Sequence, residues 1–460
     1  MTVLTDLRGQ TFAAFRGANF RRYLSGQAIS LIGTWMQTVA QSWLVLELTG
    51  SGTAIGLVLA LQTVPMLLLG PYGGVVADRV DKRRLMIGLQ SAMGVQALVL
   101  GLLTVTGAVQ LWHVYVLAVV LGLNQCFENP ARQSFMLELV GPEDLRNAVS
   151  LQSVLASVAR LIGPAVAGLI IAVGGLGVCF LLNALSFVAV VASLASLDLS
   201  LLRPSPPAAR ARGQLREGFA HVRQTPALAV PLLTMALVGC LAYEFQVVLP
   251  VVARQTFGAG AETYGFLTAA MGAGAVVGGL AVATWGRTGT TAVVATSAVF
   301  GVVLLAAAAA PTLELMLAAM VLVGVLSVAF TATTNSSLQL AAAPGMRGRV
   351  MALFAVAFLG STAVGGPVAG WVSEQWGGRA GYCSVPRRAS SRPGSARRAS
   401  DATTRGRFPL SATARAERGS AGADRHRERP SCRTEPAGVR RRDAATTELV
   451  AHRWPPWSAG

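Results

Sequence analysis

Four ionisable side chains lie inside long apolar runs, where a charge is costly and normally faces a partner or a cavity. They are Glu128, Arg132, Arg160 and Glu244. Glu128 and Arg132 stand one helical turn apart and can pair, so a structural ion pair competes with a functional role. Arg160 precedes Gly163 and Pro164 by three and four residues and shares their helix face. Glu244, flanked by Tyr243 and Gln246, is the best carboxylate for proton coupling, because desolvation favours the protonated acid. The competing reading keeps Glu244 wet near a membrane interface. Trp35, Gln37 and Gln41 in the first run, with Asn124, Tyr243, Gln246 and Asn335 further on, are candidates to line a substrate cavity. This chemistry is binding and proton exchange rather than bond-making. Cysteines 126, 179, 240, 383 and 432 and histidines 113, 221, 426 and 452 are scattered, which indicates neither a metal site nor a disulfide framework. Lys82, the only lysine, follows Asp81 and so cannot end a Walker A loop. Without a nucleophile–base pair an enzyme is not expected, nor is a cofactor; a proton gradient is the expected energy source.

The elements that must position these residues are membrane-spanning helices. The chain has 460 residues, 53% hydrophobic and 13% charged, with apolar runs long enough to cross a bilayer. Spans are expected at about 23–48, 52–77, 85–107, 111–136, 147–173 and 176–198, then at about 227–253, 262–285, 290–310, 313–338 and 347–375. The first is unusually polar, which turns its Gln/Trp side towards a cavity. Alternate connections carry Arg79, Lys82, Arg83, Arg84, Arg146, Arg287, Arg347 and Arg349, whereas the other set carries only Arg254. Basic loops stay in the cytoplasm, so the N-terminus is expected there, in a multi-pass protein of the plasma (inner) membrane. The net charge of +17 resides in these loops and the last eighty or so residues, which fits membrane orientation better than a nucleic-acid face.

The densest charge cluster is Gly73-Gly74-Val75-Val76-Ala77-Asp78-Arg79-Val80-Asp81-Lys82-Arg83-Arg84, set between two apolar runs. Gly74 would admit a close helix, Asp78 could face a helix N-terminus, and Arg79, Lys82 and Arg83 could bind acidic partners across a domain interface. Glu138 is placed to meet Lys82 or Arg83 and help hold an inward-closed state. The two halves of the chain also repeat: Arg146 precedes Gly163-Pro164-Ala165-Val166-Ala167-Gly168 by the same interval as Arg349 precedes Gly366-Pro367-Val368-Ala369-Gly370. These small residues and prolines permit close, bent helix packing.

The hairpin pattern Gly-x-x-x-Asp-Arg-x-x-(Lys/Arg)-Arg resembles the loop between helices 2 and 3 of the major facilitator superfamily. The Gly163-Pro164 stretch resembles the motif in span five of its antiporters. With Glu128-Asn129-Pro130-Ala131-Arg132, Leu137-Glu138-Leu139-Val140 and Leu145-Arg146-Asn147-Ala148, the chain over about 15–378 resembles the branch holding the enterobactin exporter and macrolide efflux pumps. The resemblance implies an all-α membrane protein with two parallel-repeat six-helix bundles, here eleven spans with the twelfth missing. It also implies a substrate site between the halves and proton-driven export of a small amphipathic compound of drug, macrolide or siderophore type.

The domains expected are an N-terminal bundle at 1–200, a cytoplasmic linker at 201–226, a five-span bundle at 227–378, and a basic Arg/Ser/Ala/Pro-rich tail at 379–460. The linker's 215–222 stretch is either a surface amphipathic helix or plain loop. The tail's composition is that of a disordered segment, and its abrupt onset where a twelfth span should begin suggests out-of-frame sequence; a native tail is the alternative. Partners expected are a small-molecule substrate and the lipid bilayer, no nucleic acid, and a monomeric state. Rival functions are an impaired, non-transporting remnant lacking its last span, and an importer.

Overall fold

The computed structural model describes residues 13–203, 219, 221–343 and 346–378; the tail at 379–460 and nearly all of 204–220 lie outside it. Its long elements are all helices: α1 (Ala18–Thr49), α2 (Gly52–Arg79), α3 (Lys82–Val105), α4 (Leu111–Gly174), α5 (Leu176–Ala195), α6 (Pro226–Ala242), α7 (Phe245–Val251, running on as a π-helical turn Val252–Thr256), α8 (Ala261–Trp285), α9 (Thr290–Ala309), α10 (Leu313–Ala341) and α11 (Arg347–Trp376). Among the described residues, nine helices are long and apolar enough to cross a membrane by length and composition. α1 is not one of them. It carries Asn19, Gln27, Ser30, Gln37, Gln41 and Ser42 in buried positions, and their burial against α4 and α5 replaces contact with lipid.

The boundaries follow from local chemistry. Gly50 ends α1 in the left-handed region (φ +66°) with its N–H on the Leu46 carbonyl, and Ser51 caps α2 by accepting the Ala54 N–H. Between α2 and α3 only Val80 and Asp81 intervene, and Asp81 caps α3 through the Arg84 N–H (2.9 Å). The 64 residues of α4 would measure about 96 Å if straight, some three hydrocarbon thicknesses. The helix is instead broken at Gly141 (φ +77°, ψ 172°), followed by Pro142. Its arms, 111–140 and 142–174, correspond to the two spans expected at 111–136 and 147–173. The run expected as one span at 227–253 is also broken: α6 stops at Ala242 and α7 starts at Phe245.

α1 packs on α4 and α5, α3 on α5, and α2 on α4; further along the chain α8 and α9 pack on α10 and α6 on α11. The two groups meet where α2 touches α11 and α4 touches α8. Large apolar side chains such as Leu68, Leu185, Leu233, Leu280 and Val302 are left exposed on five helices, the apolar exterior that a bilayer covers.

Candidate functional site

One cavity of about 260 Å³ is walled by uncharged hydrogen-bonding side chains interspersed with apolar ones such as Val45, Ile55, Met93 and Phe187, and no charged residue lines it. α1 contributes Thr34, Gln37, Thr38 and Gln41, one helix face by their three- and four-residue spacing. Gln62, Gln96, Gln125, Asn183, Gln246 and Thr362 come from α2, α3, α4, α5, α7 and α11. Asn183 Nδ2 donates to Gln37 Oε1 (2.7 Å) and Gln37 Nε2 donates to Gln96 Oε1 (3.0 Å), so three buried amides are fixed as a chain. Gly33 makes room for this: a Cβ there would collide with the Asn183 carboxamide. Gln37, Gln41 and Gln246 thus line one cavity. Gln62, Gln96, Gln125 and Asn183 were not singled out from sequence, although each is an amide inside an apolar run, and that was the available signal.

A second cavity, about 440 Å³, is lined by Arg160, Tyr243, Ser327, Thr331, Asn335, Ser336 and Phe358, with Val328 and Ala332. Trp35 does not line the first cavity; its ring lies under the Arg160 guanidinium, 5.2 Å from the centroid. The Tyr243 hydroxyl is engaged by the Ser327 carbonyl and the Thr331 hydroxyl. Its ring is surrounded by Phe245, Phe300, Phe330 and Phe358. Asn124 is buried, lines neither cavity, and leaves its Oδ1 without a partner.

Glu244 occupies the α6–α7 break. It is 4% exposed, and its Oε1 has no hydrogen-bond partner. Gly366 of α11 faces it, where a Cβ would stand 3.5 Å from Oε2. Its neighbour Tyr243 lines one cavity and Gln246 the other. A helix break with a buried carboxylate is where membrane transporters place ion and substrate sites.

At the Lys82 end of the molecule the charges pair within the first group of helices. Lys82 Nζ donates to Glu138 Oε1 (2.6 Å), with both side chains largely buried. Arg83 caps the C-terminus of α5 through the Leu194 and Ala195 carbonyls (2.7 Å each), where a cation complements the helix dipole. Arg79 is exposed, Gly74 is buried within α2, and the Asp78 side chain lies outside the described residues. Arg132 bonds Glu128 (3.0 Å) and Asn129 Oδ1 (2.9 Å), so this pair is satisfied. Arg203 closes the Gly141 break, donating its N–H to the Glu138 carbonyl and its guanidinium to Glu143 (2.9 Å each).

At the opposite, Gly50 end the two groups are in backbone contact. A Cβ on Gly56 would overlap the Gly366 carbonyl, and one on Gly370 would overlap Gly52. A Cβ on Gly168 would fall 2.9 Å from the Glu262 backbone, and Gly265 abuts the Pro164 carbonyl. Gly163 admits Trp35, and Pro367 adjoins the Gly56 contact. Two charged side chains also cross here. Glu374 of α11 accepts from the Thr53 N–H (3.0 Å) and from the Thr53 (2.8 Å) and Ser51 hydroxyls, and Arg254 donates to the Leu46 carbonyl (2.9 Å). Each charge suits the helix end it meets, an anion at the start of α2 and a cation at the end of α1. Nothing in the sequence marks Glu374 for this role, and Arg254 stands out there only as a loop charge. Nearer the Lys82 end the same helices are apart: Gly70 has nothing within 4 Å of a built Cβ, and Gly360 only Leu67 at 4.0 Å.

Paired helix groups, polar cavities and ionisable groups without an ion-pair partner among the described residues, set deep in apolar helices, are the make-up of a membrane transporter of the major facilitator class, not of an enzyme. The chain belongs within that class to the transmembrane secretion effector family, whose sequence model matches residues 9–381. It is similar to the staphyloferrin A transporter of Staphylococcus aureus (25% identical, over 55% of this chain and 64% of that protein). It is also similar to macrolide efflux protein A of Streptococcus pyogenes (24%, over 57% and 65%) and to the enterobactin exporter EntS of Shigella flexneri (27%, over 59% and 63%). The matched stretch spans about 63–65% of the length of these relatives. Its fold resembles that of the nucleoside transporter NupG (TM-score 0.62, 14% identical, covering 79% of this chain and 95% of that one). A bacterial homologue of the lysosomal transporter Spinster, in an inward-facing occupied state, is as similar (0.62, 15%, 78% and 82%).

Proposed function

We propose that this protein exports small amphipathic molecules across the bacterial cytoplasmic membrane by proton-coupled alternating access. The observation that carries the proposal is Glu244, a buried carboxylate with one oxygen unpartnered, set in a helix break whose neighbouring residues Tyr243 and Gln246 each line a cavity. A proton bound there stabilises the acid among apolar neighbours, and its release to water drives the change of state. The basic connections put the Lys82 end in the cytoplasm, and the contacts at the Gly50 end then correspond to a state closed to the outside. The repeat around Gly163-Pro164 and Gly366-Pro367 supports two halves of six-helix type, 1–200 and 227–378, joined by the linker at 201–226. Export, rather than import, is favoured by relatives described as efflux proteins and exporters.

The test uses inverted membrane vesicles that hold a pH gradient reported by quinacrine fluorescence. Erythromycin and a panel of iron-free siderophores are added in turn. At least one compound should release protons from vesicles with the wild-type protein and none from those with Glu244→Gln. A panel that dissipates the gradient equally in both, or in neither, refutes proton coupling through Glu244.

A further inference from the structure

We infer that the Arg160 cavity is an anion subsite, and that the transported molecule carries an acidic group, such as a carboxylate or an ionised phenol, held by this guanidinium. The inference rests on the reading of the protein as a transporter and names the chemistry of its cargo.

Arg160 lies in the arm 142–174 of α4, roughly 20–27 Å of helix from either end. That is too far for its side chain to reach a membrane surface by snorkelling. A guanidinium stays protonated in proteins, so the positive charge must be compensated where it is. Among the described residues no carboxylate lies within ion-pair distance of it, and its Nε is buried without a hydrogen-bond acceptor. The Trp35 ring compensates one face only. The Tyr243 hydroxyl lies close enough to interact electrostatically with Arg160, but its hydrogen bonds go to Ser327 and Thr331, and as a neutral group it does not balance the charge.

The remaining face opens into the 440 Å³ cavity. Beside Arg160, its polar lining residues are Tyr243, Ser327, Thr331, Asn335 and Ser336, and none that lines it is acidic. The contrast with the rest of the molecule is informative. Arg132, also in α4, has both Glu128 and Asn129, and Lys82 has Glu138. Arg160, by contrast, has only ring and hydroxyl neighbours among the described residues, the Trp35 face and Tyr243, and no acid. A planar guanidinium with free donors matches a carboxylate in two parallel hydrogen bonds. An amide and a hydroxyl alongside can hold the rest of an acidic head group, while Phe358 and Val328 meet an apolar body. Export of an anion from a cell with a negative interior is also assisted by the membrane potential.

The experiment measures binding by the purified full-length protein in lipid nanodiscs, through thermal stability and tryptophan fluorescence. Three acids are compared with amides of the same shape: salicylate with salicylamide, nicotinate with nicotinamide, and indole-3-acetate with indole-3-acetamide. At least one acid should bind tenfold or more tightly than its amide. Arg160→Gln should abolish that preference and Arg160→Lys keep part of it. Asn335→Asp supplies an internal counter-charge, and it should both raise the melting temperature and remove acid binding, so the inference stays testable if Arg160→Gln folds poorly. The inference is overturned if every acid binds no better than its amide, if the preference survives Arg160→Gln, or if Asn335→Asp destabilises the protein. Binding without transport would refute the export reading alone, whereas transport of neutral or cationic cargo without acid preference would refute the subsite alone.

Discussion

Single residues in this protein sort by whether their charge is matched. Lys82 and Glu138 are matched, at 2.6 Å and largely out of solvent. Removing one partner of a buried pair leaves the other uncompensated and costs about 3–5 kcal/mol, whereas replacing both with apolar residues can be nearly neutral. Lys82→Met and Glu138→Gln should therefore each lower the melting temperature of the detergent-solubilised protein. The double variant Lys82→Met with Glu138→Leu should recover most of the loss; additive losses would show that the two act separately. Both residues belong to the first helix group, so the pair fastens the start of α3 to α4 and does not bridge the groups. Glu244 and Arg160 have no ion-pair partner among the described residues, so each can exchange its interaction with a proton or a bound group.

At the scale of elements, two breaks matter more than any helix. Gly141 has φ +77° and ψ 172°, a region essentially reserved for glycine where an L-residue costs about 1–3 kcal/mol, and a Cβ there would strike the Arg203 guanidinium. Gly141→Ala should destabilise the protein by at least that strain in a chemical unfolding curve, and an unchanged midpoint would contradict the strain. The α6–α7 break has no glycine or proline at its two non-helical residues, Tyr243 and Glu244. A break without a breaker is held by tertiary contacts, here the ring cluster around Tyr243 and the bonds of its hydroxyl. The α2–α11 contact is the opposite case, since two glycines face two glycines and any side chain must push the helices apart. Gly366→Leu should open the Gly50 end. A cysteine replacing Ile55, which is 1% exposed, in a cysteine-free background should then react faster with a membrane-impermeant maleimide.

For the molecule as a whole, the question is the balance between states open at either end. The Gly50 end is closed by backbone contact and by the hydrogen bonds of Glu374 and Arg254 to the ends of α2 and α1. Glu374 is exposed at the surface, and such bonds contribute only about 0.5–1.5 kcal/mol each. That is enough to bias a two-state equilibrium without locking it. Glu374→Ala should raise maleimide labelling at position 55 by roughly tenfold, the equivalent of ~1.4 kcal/mol. No change would mean that the glycine contacts alone set the balance.

What the sequence by itself determined is the part governed by local chemistry and solvent. Apolar runs interrupted by Gly, Pro and charge defined the helices nearly to their ends, because a backbone in hydrocarbon must satisfy its own hydrogen bonds. The Glu128–Arg132 pairing was legible because a one-turn spacing leaves little choice of partner. The tertiary structure decided which amides share a cavity, since Gln37, Gln96 and Asn183 lie on three helices and their meeting depends on how α1, α3 and α5 rotate against one another. It also decided that Lys82 and Arg83 stay within their own group, that Glu374 and Arg254 cross between groups, and that the chain breaks before Glu244. Those facts depend on contacts between residues far apart in the chain, which no periodicity encodes. The same packing leaves Arg160 facing a cavity beside the Trp35 ring and Tyr243, with no carboxylate paired to it among the described residues.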